Sequence, residues 1–165
     1  MILFSCYYHA KAIIKKFFYK IIYFKRIKIG KNVKWRNQFS VLIDRDAKVE
    51  IGDNCFFNNN CSLASHNKIK IGAGTLIGEN VKIYDHNHRF NRINVPIKNQ
   101  GYTVAPVSIG KHCWIGSNVV ILKGVTIGNN CVIGAGCVIS QNIKDNTIVK
   151  QSNKLEEIPL IVRKY

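Results

Sequence analysis

Isoleucine recurs at every sixth position through one stretch of the chain, at Ile109, Ile115, Ile121, Ile127, Ile133 and Ile139. Two residues before each stands a smaller apolar residue: Val107, Cys113, Val119, Val125, Cys131 or Cys137. Neither a helix, with its period of about 3.6, nor the simple alternation of one strand gives this spacing. Side chains two apart on a strand share a face, so each hexad supplies a short strand with two side chains in and one out, then a turn. Such a unit cannot bury its apolar edge alone and must stack on its neighbours. The pattern predicts a parallel β-helix. The glycine after most of these isoleucines (Gly110, Gly116, Gly128, Gly134) suits a turn with positive φ.

The same phase runs upstream, through Ile51, Phe57 and Leu63, then through Ile71, Ile77 and Ile83. Ile29, Val33 and Trp35 read as the first repeat. The two-residue slip between Leu63 and Ile71 predicts a bulge at Ser65–Lys68. Between Ile83 and Ile109 the period vanishes, which predicts a long protruding loop over residues 85–106. A long loop without its own secondary structure in a compact fold is usually functional.

Before the hexads, from about Tyr8 to Arg26, apolar pairs recur at helical spacing: Ile13/Ile14, Phe17/Phe18 and Ile21/Ile22, with lysines between. This predicts an amphipathic helix. Its apolar stripe suits either a cap over the open end of the β-helix or an interfacial membrane contact through residues 1–27. The expected organisation is the helix at 1–27, the β-helix at 28–150 with loop 85–106 inserted, and a tail at 151–165. Within the tail, Lys154–Glu157 suits a short helix ended near Pro159.

Composition narrows the picture. A chain of 165 residues suits one domain with a real core. It has no apolar run of the length a transmembrane helix needs, and its N-terminal stretch lacks the apolar core and cleavage site of a signal peptide. Of its six cysteines, Cys55, Cys61, Cys113, Cys131 and Cys137 fall at inward positions, and no Cys-x-x-Cys pair occurs. They read as small buried hydrophobes, reduced and so pointing to the cytoplasm. The net charge of +16 suits an anionic partner. No nucleic-acid-binding motif accompanies it. The outward residues Trp114, Val120, Val132 and Val138 predict apolar rows covered in an oligomer.

The loop carries Asp85, His86 and His88, and histidine is the usual general base at neutral pH. Here a resemblance enters. Ile109-Gly110-Lys111-His112-Cys113-Trp114-Ile115-Gly116-Ser117-Asn118-Val119-Val120-Ile121, continuing to Ile133-Gly134-Ala135-Gly136, resembles the hexapeptide-repeat acyltransferases. It is most similar to the galactoside, maltose and surface-polysaccharide O-acetyltransferases, over roughly residues 29–149. The resemblance implies an all-β fold, a left-handed β-helix, assembled as a homotrimer with sites between subunits. It implies acetyl-coenzyme A as donor, a sugar hydroxyl of a bacterial capsule or lipopolysaccharide as acceptor, and no metal. The segment Tyr84-Asp85-His86-Asn87-His88 resembles the one carrying the base, which assigns that role to His86, with His88 beside it on the acceptor side. Phe56-Phe57-Asn58-Asn59 resembles the acceptor segment, assigning Asn59, with Trp114 near it. The donor groove falls to Ser117 and Ala135. The family's basic residue after the last coil is replaced by Ser140-Gln141, and its Gly-x-Pro-Ala-Lys-like stretch by the run from Lys150 to Lys154; Ser140, Gln141, Lys150 and Lys154 are the further candidates for holding the donor.

Two other activities share the coil fold. One is N-acyl transfer to an amino sugar or xenobiotic. The other is a metal-dependent lyase like the γ-class carbonic anhydrases, which place two histidines five apart; among His9, His66, His86, His88 and His112 no such pair occurs. The expected location is the cytoplasm, and the basic, aromatic N-terminal helix would suit a lipid-linked precursor at the inner membrane face.

Overall fold

The computed structural model describes residues 2–151, with side chains from Ala12 onward. Three parallel sheets wrap one core, and successive strands step from one sheet to the next. The first face stacks Ile27–Ile29, Lys48–Ile51, Lys68–Ile71, Val107–Ile109 and Thr126–Ile127. The second stacks Lys34–Trp35, Phe56–Phe57, Leu76–Ile77, Trp114–Ile115, Val132–Ile133 and Ile148–Val149. The third stacks Ser40–Ile43, Ser62–Ser65, Lys82–Tyr84, Val120–Ile121 and Val138–Ile139. The inward isoleucines are sealed from water, and the five cysteines are buried and unpaired. Nearest α1 (Ile2–Tyr23) the core becomes aromatic, with Trp35, Phe39 and Phe57 rings 4.9 and 4.6 Å apart in succession.

The coils are not of one length. Stacked partners lie 22 residues apart at Ile29 and Ile51, 20 apart at Ile51 and Ile71, and 18 apart at Ile109 and Ile127. No bulge forms at Ser65–Lys68. Ser65 pairs with Ile43 and Lys68 with Lys48, so the extra residues lengthen two strands instead.

The turn glycines correct a second expectation. Positive φ does not fall on the residue after each isoleucine. It falls two residues later, at Asn54, Asn80, His112, Asn118 and Asn130, or at Gly74, Gly124 and Gly136. Asparagine tolerates that region because its short amide can bond locally. Here the amides also run between coils, Asn80 Nδ2 donating to Asn118 Oδ1 at 2.8 Å and Asn130 Nδ2 to Asn146 Oδ1 at 3.1 Å. The glycine after the isoleucine meets a different need. A Cβ on Gly72 would lie 2.5 Å from the carbonyl carbon of Gly110, on the coil stacked against it.

The helix starts earlier than the pattern suggests: α1 is followed by a 3-10 turn at Phe24–Arg26. It caps the coil end, but with the face opposite its apolar stripe. Ala12 and Tyr19 are buried. The Tyr19 hydroxyl donates to Phe39 O and accepts from Val41 N–H, both at 3.2 Å. The Lys15 ammonium also donates to Phe39 O, Lys16 to Gly30 O at 2.9 Å, and Tyr23 to Val41 O at 2.9 Å. Arg26 reaches Ile43 O and Asp44 O at 3.2 and 3.0 Å. The end of a sheet presents unpaired backbone groups, and polar side chains can satisfy them where aliphatic ones cannot.

The loop is not structureless. His86–His88 pairs antiparallel with Tyr102–Val104, and Ile97–Asn99 forms a 3-10 turn. The buried Gln100 pins the tip, donating to Val95 O at 2.8 Å and accepting from Arg92 N–H at 3.0 Å. Residues 152–165, with Lys154 and the expected Lys154–Glu157 helix, lie outside the described residues.

Gly72→Ala should lower unfolding stability by about 2 kcal/mol, because backbone rather than a movable side chain blocks the methyl; unchanged urea unfolding would contradict the close stacking. Burial pushes the Tyr19 hydroxyl up to about 12 from an ordinary value of 10.0. Between those values the unfolded chain has lost a proton that the folded chain keeps. The Tyr19 contribution is therefore whole below pH 10 and is lost as pH rises towards 12. The stability advantage of the wild type over Tyr19→Phe should shrink across that window, and a constant difference would contradict the buried cap.

Candidate functional site

The turn between the third and first faces gathers the chemistry. Because coil lengths of 22 and 20 residues bring Asp44, His66 and His86 to one corner, these side chains form a column. The carboxylate of Asp85, fully buried, sits at its centre. Its Oδ2 accepts from Ser65 Oγ at 2.6 Å and from Asn67 N–H at 2.9 Å. Its Oδ1 accepts from His66 N–H at 2.7 Å and lies 3.2 Å from His86 Nδ1. A carboxylate held by three other donors is a fixed acceptor. It selects the His86 tautomer with hydrogen on Nδ1, leaving the Nε2 lone pair able to take a proton.

The His86 ring is largely covered, its side chain 14% exposed. The His66 ring lies 3.9 Å away and that of Tyr102 lies 5.3 Å away, edge to face. His66 is held in turn by Asp44, Nδ1 to Oδ2 at 3.0 Å. His88, across the hairpin from Tyr102, is exposed, with ring centroids 4.6 Å apart. It lines a cleft of about 500 Å³ with Arg89, Phe90, Arg92, Thr103 and Lys123. The hairpin thus gives its two histidines different settings: His86 anchored to a carboxylate, His88 open on a cationic cleft.

The other expected residues stand elsewhere. Asn59, Ser117 and Ala135 occupy the turn between the second and third faces. Asn59 donates to Glu79 Oε1 at 3.0 Å and accepts from Asn37 N–H at 3.2 Å. Along this corner, a backbone N–H often bonds a side chain of the next coil, as Glu79 N–H does to Ser117 Oγ at 3.2 Å. The coil after Ser117 offers Ala135, which has no side-chain acceptor, so the Ser117 N–H gains none from it. Trp114 points out from the second face, 57% exposed, in a row with Phe56, Leu76, Val132 and Ile148. Ser140 and Gln141 are exposed at the far end of the His86 corner, and Lys150 is exposed just past the last strand.

A single chain therefore brings His86 to His88, and Asn59, Ser117 and Ala135 to one another, but the third face separates the two groups. Among the described residues no three His, Cys, Asp or Glu side chains converge as metal ligands. Sequence reasoning assigned no role to Asp85 and passed over His66 and Tyr102. The signal for two of them was present: Ser65-His66-Asn67 and Asp85-His86-Asn87 are similar triplets one coil apart.

Comparison with known proteins agrees with the fold. Residues 106–141 match the family model described as the hexapeptide repeat of succinyl-transferase. A maltose O-acetyltransferase of Clostridium difficile 630 is 34% identical, with a TM-score of 0.63 over 78% of this chain and 67% of that one. A hexapeptide-repeat acetyltransferase of Vibrio cholerae O1 biovar eltor, solved with acetyl-coenzyme A, is 29% identical, with a TM-score of 0.64 over 73% and 63%. The Escherichia coli (strain K12) protein WbbJ, provisionally named as a lipopolysaccharide-biosynthesis O-acetyl transferase, is 36% identical over 59% of this chain and 53% of its own. The chain spans about half the length of the curated relatives it matches. The coil is the left-handed β-helix that these structures share.

Proposed function

The chain belongs to the hexapeptide-repeat acyltransferase family, and from that premise we propose that it moves acetyl from acetyl-coenzyme A to a sugar hydroxyl. The observation that carries the reading is the contact of His86 Nδ1 with the buried, fully engaged Asp85 carboxylate. His86 Nε2 takes the proton as the acceptor oxygen attacks the thioester carbonyl carbon. The carbon–oxygen bond forms, the carbonyl oxygen carries the negative charge, and collapse breaks the carbon–sulfur bond. The coenzyme A thiolate leaves and recovers the proton from the His86 imidazolium. Asp85 does not touch substrate; it positions His86 and stabilises the transient imidazolium. The Ser117 N–H suits the oxyanion, because no side chain of the next coil occupies it.

The hydroxyl acceptor is supported by the names of the maltose enzyme and of WbbJ, and the latter points to a bacterial surface polysaccharide. Such a role suits an enzyme of the cytoplasm, working at the inner face of the membrane.

With His86 and Ser117 on different corners of the coil, this reading completes each site with a second copy. The apolar row of Leu76, Trp114 and Ile148, all exposed, with Phe56 and Val132 half-buried among them, gives the copies a surface to bury, and a trimer closes three such contacts. Each site then joins the hairpin of one copy to the Ser117 corner of another. The cationic cleft beside His88, with Arg89, Arg92 and Lys123, suits an anionic group on either substrate.

Release of coenzyme A thiol in the presence of hydroxyl and amine sugars tests the reading. A hydroxyl sugar should be acetylated, and His86→Ala should lower kcat by about 10³-fold with thermal stability retained. His88→Ala should act mainly on KM. Retained activity in His86→Ala with loss in His88→Ala would move the base to His88. Acetylation of amine sugars alone would replace O-transfer by N-transfer.

A further inference from the structure

From Ala12 to Tyr23, the face of α1 that points away from the coil is apolar, and the face against the coil is largely polar. Ile13, Ile14, Phe17, Phe18, Ile21 and Ile22 are each between 55 and 69% exposed, and Phe24 extends the stripe at 72%. None of them serves the fold, since the cap uses Ala12, Lys15, Lys16, Tyr19, Tyr23 and Arg26. An unpartnered stripe of this size has an occupant.

Charge identifies it. Residues 1–43 hold ten lysines and arginines and no acidic residue, Asp44 being the first. Lys20 and Lys25 are exposed on the helix and its following turn, and Lys28, Lys31 and Lys34 are exposed on the coil beside it. A second copy meeting this face through its own would bring equal positive charge against it, so self-association is disfavoured. A surface that is negative at its rim and apolar beneath matches both features: anionic headgroups over acyl chains. The helix cannot serve as a span, since no helix among the described residues is long and apolar enough to cross a membrane. Lys16, Tyr19 and Tyr23 hold it to the coil end by bonds to the carbonyls of Gly30, Phe39 and Val41, and Arg26 just after it bonds that of Ile43. Its outward face is therefore presented rigidly rather than folding on contact, which lowers the entropic cost of docking.

We propose that α1 docks the protein on an anionic lipid bilayer, its isoleucines and phenylalanines entering the interface and the surrounding lysines meeting the headgroups. Docking holds the catalytic site beside a lipid-anchored acceptor. That consequence rests on the acetyl-transfer reading, whereas docking itself does not.

Cosedimentation with vesicles of phosphatidylcholine alone, and of phosphatidylcholine mixed with phosphatidylglycerol, tests the proposal without any acyl donor. Wild type should pellet with the mixed vesicles and stay largely in solution with phosphatidylcholine alone. The double variant Phe17→Ser, Phe18→Ser should bind at least about 10-fold more weakly. It should keep the wild-type melting temperature and the wild-type rate on a soluble acceptor, because neither ring touches the coil. Three outcomes would overturn docking. One is wild type remaining in solution with anionic vesicles. Another is equal binding by the double variant, which would leave only charge attraction. The third is a change of oligomeric state in the double variant with vesicle binding intact, which would make the stripe a contact between protein chains.

Discussion

Everything in this protein depends on how closely one coil can lie on the next. Backbone comes within 2.5 Å of where a Cβ would stand at Gly72, so the residue after each inward aliphatic must often be glycine. Two residues further on, the chain turns through positive φ, where asparagine both tolerates the conformation and bonds its counterpart on the next coil. These two demands, with the inward pair before them, make up the hexad. Register is then enforced at each corner, because a slip of one residue would turn every isoleucine outward.

The candidate site is a consequence of that register. Asp85 reaches Ser65, His66 and Asn67 only because the coil between them is 20 residues long. The longer second coil brings Asp44 to His66 in the same column. The chain leaves the coil immediately after Asp85, so His86 is fixed at the root of the hairpin while His88 and the cationic cleft project from it. A rigid scaffold sets one histidine and a two-stranded arm carries the other. The separation of the two residue groups has the same origin: His86 and Ser117 lie at corners on either side of the third face.

The architecture was legible because a six-residue period has one physical explanation, and the inward cysteines followed from phase alone. Three features were not. The helix pattern showed an apolar stripe, but periodicity does not say which side meets the protein; Tyr19, Tyr23 and Arg26 face inward because a coil end offers carbonyls. The glycines were read as turn formers, since a sequence shows residue type and not the distance to the next coil. Asp85 was visible beside His86, yet its burial depends on a stacking register that the irregular early coils obscure. The histidines, Asn59 and Ser117 were nominated through resemblance, and their separation into two groups required the strand order.

The central claim is that each site is shared between two copies, His86 from one and the Ser117–Ala135 corner from another. The direct measurement uses two variants that are each inactive alone, His86→Ala and Ala135→Arg, the second filling the corner from its exposed position. Purified mixed assemblies containing both should recover a fraction of wild-type acetyl transfer, because some contacts pair an intact hairpin with an intact corner. Mixed assemblies of confirmed composition with no recovered activity would contradict a shared site.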